Sequence, residues 1–143
     1  VHDTVVALRR AKGMVLDPDD VDTHSAGSFF TNPIVSEAQA TQVRERAVAA
    51  GVVSAGSEVP SWPESGSRVK LAAGWLIERA GVTKGLRRGH VGVSSKHALA
   101  LVHHGGGTTA ELLALADEVA ARVESAFGVT LQREPQLLAG VRA

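Results

Sequence analysis

Ser28 stands in Ser25-Ala26-Gly27-Ser28-Phe29-Phe30-Thr31-Asn32-Pro33, behind a glycine and ahead of two of the chain's three phenylalanines. Three chemistries are open to a serine in that setting. A hydrolytic nucleophile would need the GxSxG elbow and a placed His/Asp pair, and Gly27-Ser28-Phe29-Phe30 supplies neither. A turn residue would satisfy nearby backbone groups, which is the commoner role of serine in such segments. A proton donor needs no activating base, because a neutral hydroxyl held beside a strongly basic carbanion can give up its hydrogen. The six histidines pose a separate question. His103 and His104 are adjacent, neighbours on a strand point to opposite faces, and no HExxH or carboxylate partner at ligand spacing accompanies them, so no metal site is expected. Gly105-Gly106-Gly107 precedes a helix start, where backbone N–H groups can cradle a phosphate. It lacks both the Lys-Ser/Thr ending of a Walker loop and the GxGxxG spacing, and reads as a flexible strand-to-helix turn.

These residues must be held by elements, and the pattern predicts helices alternating with short strands. A first helix is expected over 4–12, with Asp3 as N-cap and Gly13 as stop; Val5, Val6 and Leu8 would make apolar contacts while Arg9 and Arg10 face out. The segment around Ser28 reads as a loop. Ser36 and Gln39 form a capping-box pattern for a helix over 38–50, stopped by Gly51. Val52-Val53 reads as a short strand, and 55–68 as a loop in which Pro60 and Pro63 flank Trp62. A helix over 69–80 would turn Leu71, Trp75 and Ile77 inward and end at Gly81. Strands are expected over 90–93 and 98–102, separated by Ser94-Ser95-Lys96-His97. A Thr108/Glu111 capping box opens a last helix over 109–126, ended by Gly128. The stretches 129–131 and 135–138 would add an edge strand, where proline is tolerated. The sum is an α+β domain, with helices packed against a small, mostly antiparallel sheet.

Composition narrows the function classes. A chain of 143 residues suits one domain with a single core. Its 15 Lys and Arg balance 15 Asp and Glu, which removes the electrostatic reason to expect nonspecific nucleic-acid binding. Without cysteine there are no disulfides, thiolate nucleophiles or zinc-thiolate sites, and a cytoplasmic home is the simple expectation. No apolar run approaches the roughly 20 residues of a membrane-spanning helix, and the first residues lack a signal peptide's layout.

Taken together, these residues resemble a known family. Ser25-Ala26-Gly27-Ser28-Phe29-Phe30-Thr31-Asn32-Pro33-Ile34-Val35 is similar to the GSFFxNP signature of the UDP-N-acetylenolpyruvoylglucosamine reductases, the MurB family of UDP-N-acetylmuramate dehydrogenases. Further matches follow in family order: Lys12 to Asp17, Val69 to Glu78, Val93 to Ala98, and Phe127 to Leu131 through Glu134. The resemblance implies that residues 1–143 are the family's C-terminal, substrate-binding α+β domain. The FAD-binding portion, with an arginine that helps hold the enolate, is then expected upstream of Val1. The implied reaction reduces the enolpyruvyl ether of UDP-N-acetylglucosamine to a lactyl ether for cell-wall synthesis, with NADPH reducing FAD first.

By the same resemblance, Ser28 and Glu134 are the catalytic residues. Ser28 protonates the carbon beside the carboxylate after hydride addition, and Glu134 assists there, which it can do only while protonated or sharing a proton. Lys12, Asn32 and His97 fall at substrate-binding positions around the diphosphate, where a point charge and a side-chain amide suit phosphate oxygens. Read alone, Lys12 would be a helix-end residue, Asn32 an Asx turn before proline and Glu134 a solvated carboxylate. Gly27 would let the backbone approach closely while Phe29 and Phe30 anchor the loop around Ser28. The sequence differs from the family's common pattern in a longer stretch over 13–24, and in Pro135-Gln136 where valine and arginine are usual. A non-catalytic nucleotide-sugar-binding or interaction module is the alternative.

Overall fold

A computed structural model of the chain describes residues 2–137. The elements follow in the order α1 (His2–Ala11), a 3-10 turn (Val21–Thr23), β1 (Ser25–Ser28), β2 (Ile34–Ser36), α2 (Glu37–Ala49), β3 (Ser61–Glu64) and β4 (Arg68–Leu71). They continue with α3 (Ala73–Arg79), β5 (Arg87–Arg88), β6 (Val91–Val93), β7 (Ala100–His103) and α4 (Thr109–Phe127). The α+β class holds, but the strands form two sheets rather than one. One has the order β1-β7-β6-β5, the other β2-β4-β3, and every pairing is antiparallel.

Both capping boxes form as their spacing predicts. Ser36 Oγ accepts from the Gln39 N–H and Thr108 Oγ1 from the Glu111 N–H, each at 3.2 Å, while the two N3 side chains bond back to the N-cap backbone. Helix α4 is the central strut. Leu115, Ala116, Val119, Val123 and Phe127 recur on one face and are buried, as are Val43 and Ala47 of α2, Leu76 and Ile77 of α3, and Val91 and Val93 of β6. These belong to a single apolar cluster that spans both sheets. Gly128, in the left-handed conformation, ends α4 as expected.

Several sequence expectations are corrected. Helix α1 has no buried residue: Val5 and Leu8 are 49% and 63% exposed and Val6 is half-buried, so most of the expected apolar stripe faces out. Asp3 lies inside α1 rather than capping it. The segment 25–28 is a strand, not a loop. Val52-Val53 forms no strand; its amides close the turn after α2 by donating to the Ala47 carbonyl. The expected loop over 55–68 contains β3, which forms a hairpin with β4, and the helix expected from residue 69 begins only at Ala73. Residues 69–71 have helical periodicity on paper, but β4 has strands on both sides, and ladder pairing on both edges outweighs a weak local propensity. Pro63 is tolerated because β3 is an edge strand. The tail adds an isolated bridge between Phe30 and Arg133 in place of an edge strand over 129–131 and 135–138, and Leu138 lies outside the described residues.

Candidate active site

Ser28 owes its position to an irregular strand. Ser25 pairs with Val102 but Ser28 with Ala100, so β1 spends one more residue than β7 over the same span. The extra residue is accommodated at Gly27, whose φ of +82° is open to glycine and strained for other residues. The Gly27 N–H donates to Ser25 Oγ at 3.2 Å, which helps close the bulge. Beyond it the chain runs between two backbones. The Phe29 N–H donates to the Leu99 carbonyl at 2.7 Å, the Phe29 carbonyl accepts from the Glu134 N–H at 2.9 Å, and the Thr31 N–H donates to the Gln132 carbonyl at 3.0 Å.

Adjacent residues on an extended chain point to opposite sides, yet Phe29 and Phe30 are both buried, at 4% and 1% exposure, with their rings edge to face at 5.4 Å. The two rings meet each other in the one apolar cluster, so the chain departs from simple alternation here and is anchored by both. Backbone pairing then brings Glu134 alongside, and Ser28 and Glu134 line one cleft of about 540 Å³ together with Arg9, Met14, Thr23 and Ser25. Ser28 is half-buried and Glu134 exposed.

His97 approaches Ser28 from the turn between β6 and β7. Its Nε2 lies 3.4 Å from Ser28 Oγ. The turn is organised by the fully buried Ser94, whose Oγ accepts from the N–H groups of Lys96 and His97 at 3.0 and 3.2 Å. Burial holds the His97 imidazole below its ordinary pKa, the charges of Lys12 and Lys84 lower it further, and Glu78 opposes them. Lys12 itself is exposed just beyond α1, close enough for its charge to act on His97. Ser28, Glu134, His97 and Lys12 are thus drawn to one region of the fold from four distant stretches of sequence.

Asn32 is placed elsewhere. Its Oδ1 accepts from the Ala73 N–H at 2.9 Å, supplying the cap that Ala72 cannot give α3, and it lines a second groove with Gln39, Thr130 and Gln132. The triple glycine is a turn between β7 and α4, with Gly105 and Gly106 at positive φ. His103 Nδ1 lies 3.2 Å from the Gly105 N–H, and its Nε2 lies between the Gly107 N–H at 3.0 Å and the Gly107 carbonyl at 3.1 Å, so the ring accepts through one nitrogen only and the turn closes on the imidazole. No group of three or more His, Asp or Glu among the described residues is arranged to hold a metal ion. None of the described helices is long and apolar enough to cross a membrane.

Two participants escape a reading of the sequence. Arg9, expected to face out, is exposed but borders the Ser28 cleft, because Gly13 at φ +67° turns the chain back after α1. Asp22, one acid in a charged run, grips Ser95: its two carboxylate oxygens accept from the Ser95 N–H at 2.7 Å and the Ser95 hydroxyl at 2.6 Å. The density of acids in Asp17-Pro18-Asp19-Asp20-Val21-Asp22 is the one signal for Asp22, nothing local points 73 residues onward, and no sequence signal marks Arg9.

Comparisons with known proteins show what the chain is similar to. The family model described as "UDP-N-acetylenolpyruvoylglucosamine reductase, C-terminal domain" matches residues 18–138. Among curated relatives of that printed name, the chain is 54% identical over 138 residues to one from Thermobifida fusca (strain YX), covering 96% of this chain and 38% of the relative. It is 53% identical over 134 residues to one from Streptomyces coelicolor, covering 94% and 34%, and 49% identical over 144 residues to one from Mycolicibacterium smegmatis, covering 96% and 38%. The chain therefore spans a little over a third of the length of these relatives.

Proposed function

Since the chain belongs to the UDP-N-acetylenolpyruvoylglucosamine reductase family through its C-terminal domain, we propose that residues 1–143 bind substrate and donate the proton in such a reductase. The reaction is the conversion of UDP-N-acetylglucosamine enolpyruvate to UDP-N-acetylmuramate for peptidoglycan synthesis, with FAD and NADPH as redox partners, in the cytoplasm. One observation carries the reading: a half-buried serine hydroxyl and a carboxyl group open onto the same cleft, with an arginine at its border.

Hydride addition to the terminal vinyl carbon leaves negative charge on the carbon beside the substrate carboxylate. Ser28 Oγ gives its proton to that carbon, forming the new C–H bond and leaving an alkoxide. Glu134, at the same cleft, assists at that centre, and Arg9 pairs with the substrate carboxylate. The Ser28 alkoxide is stabilised by a hydrogen bond from His97 Nε2–H and by the positive charge of Lys12. Lys12 and His97 also meet the diphosphate, while the Asn32 oxygen ties the segment between β1 and β2 to the start of α3.

The cleft offers Arg9, Ser25 and Ser28 to the substrate's anionic part. Its lining contains no aromatic residue; Phe29, Phe30 and Phe127 are buried, and Trp62 stands on β3 of the other sheet. In this reading the flavin, which supplies the hydride when reduced, is held by polypeptide outside this chain. The test is Ser28→Ala in the complete reductase. Flavin reduction by NADPH should keep its rate, while turnover to the lactyl ether should slow by roughly 10²- to 10⁴-fold. Unchanged turnover would remove Ser28 from the chemistry.

A further inference from the structure

Asp22 touches both arms that reach toward Ser28. Its carboxylate holds Ser95 through two hydrogen bonds, of 2.7 and 2.6 Å, and Ser95 lies two residues before His97. Its backbone lies against the other arm: a Cβ built on Gly13 would sit 2.9 Å from the Asp22 carbonyl oxygen, and Gly13 directly follows Lys12. The neighbouring Asp20 pairs with Lys96, the residue between Ser95 and His97, while its carbonyl and that of Asp17 accept from Thr23 Oγ1, both at 2.8 Å. Burial alone would raise the Asp22 pKa. The hydrogen bonds from Ser95 and Ser94 and the charge of Lys96 outweigh it, so the carboxylate stays ionised below the usual range.

The clamp has little of a core contact's character. Ser95 and Lys96 are exposed, and no apolar side chain is buried by the grip itself. What it fixes is the approach of two segments, residues 12–13 and 94–97, whose ends carry the cation and the imidazole assigned above to one anion.

We propose that Asp22 is a positioning residue: by tying the Lys12–Gly13 arm to the 94–97 turn, it holds Lys12 and His97 together at the side of Ser28, so that both meet one substrate diphosphate. The role rests on the substrate-binding reading for the ligand, but not for the geometry. His97 is faced by Ser28, by Lys12 and Lys84, and by Glu78. If Asp22 holds Lys12 there, releasing the arm removes one of the charges that disfavour the imidazolium.

The test uses Asp22→Ala and the milder Ser95→Ala, which keeps the backbone donor and loses only the hydroxyl. The His97 ring proton is followed by NMR through a pH titration of the 143-residue chain without ligand, and UDP is then titrated into the same samples. Asp22→Ala should move the His97 midpoint upward and weaken UDP binding about tenfold, the scale expected when a supporting hydrogen-bond partner is removed. Ser95→Ala should move both in the same direction by less, with core methyl resonances unchanged. If neither quantity moves in either folded variant, or if UDP binding weakens while His97 titrates as in the parent, the clamp is overturned. If His97 shifts but the parent chain binds no UDP, the clamp stands and the nucleotide-binding reading falls.

Discussion

Replacing Gly27 by alanine tests whether the bulge in β1 is what aims Ser28. A Cβ at this position would meet nothing within 4 Å, so no clash enters the account. What remains is the backbone conformation, φ +82°, which costs an L-residue with a Cβ about 1–2 kcal/mol. The strand has one way to avoid that cost, which is to flatten the bulge. A one-residue slip would turn alternate side chains to opposite faces and pull Phe29 and Phe30 out of the core, at about 3 kcal/mol or more for either ring. Retaining the bulge is therefore cheaper, and the variant should fold unaltered with a Tm lower by roughly 3–8 °C. Asparagine tolerates positive φ better, so Gly27→Asn should lose less than Gly27→Ala. Gly13→Ala should lose more than either, since φ +67° is compounded there by the 2.9 Å approach to the Asp22 carbonyl. Thermal unfolding of the three variants gives the ranking. A Gly27→Ala protein as stable as the parent, or as damaged as Gly13→Ala, would refute the assignment of the bulge to Gly27.

The remaining expectations concern His97 and Asn32. Burial and the two lysines hold the folded-state pKa of His97 below its ordinary 6.5, so in acid the unfolded chain takes up the proton first. Its contribution to stability is therefore complete above about pH 6.5 and is lost as pH falls through the folded-state value. Urea unfolding at pH 7.5 and pH 5 should show a smaller acid loss in His97→Gln than in the parent; equal losses would contradict the burial of a neutral ring. Asn32→Ala should cost about 1 kcal/mol by uncapping α3, whereas Asn32→Asp keeps an acceptor for the Ala73 N–H and should hold its Tm. A large loss in Asn32→Asp would show that the amide nitrogen is needed as well.

How much of this could be read from sequence depended on the range of the interaction. The capping boxes at Ser36/Gln39 and Thr108/Glu111, the Gly128 stop and the buried face of α4 are local, each set within a few residues, and they appear as expected. The hairpin β3–β4 was hidden because Val69-Lys70-Leu71 satisfies both a helical and an alternating pattern, and only its pairing with Ile34-Val35-Ser36 decides between them. The paired phenylalanines were rightly read as anchors. The reason two neighbours can both be buried, backbones on either side of one strand, lies in contacts to Leu99 and to Gln132 and Glu134. Asn32 is the sharpest case: a residue of a recognisable motif, its oxygen spent on a helix start 41 positions away.

Ser28 and His97, at 3.4 Å, have the separation a hydrolytic pair would have, so their surroundings must separate the two chemistries. A nucleophilic serine needs its histidine to take the proton and become an imidazolium, which an acidic third residue stabilises from the far nitrogen. Among the described residues no carboxylate hydrogen-bonds His97, and burial together with Lys12 and Lys84 works against the imidazolium. An imidazole shifted in that direction is a weaker base toward Ser28. The same charges that suppress nucleophile activation favour the opposite transfer, because an alkoxide left on Ser28 after it protonates a carbanion is drawn toward Lys12 and can accept from His97 Nε2–H. Exchanging the cation for a carboxylate, as in Lys12→Glu, should therefore raise the His97 midpoint while slowing the protonation step. If that substitution instead conferred ester hydrolysis with no loss of protonation, the electrostatic argument for Ser28 as an acid would fail.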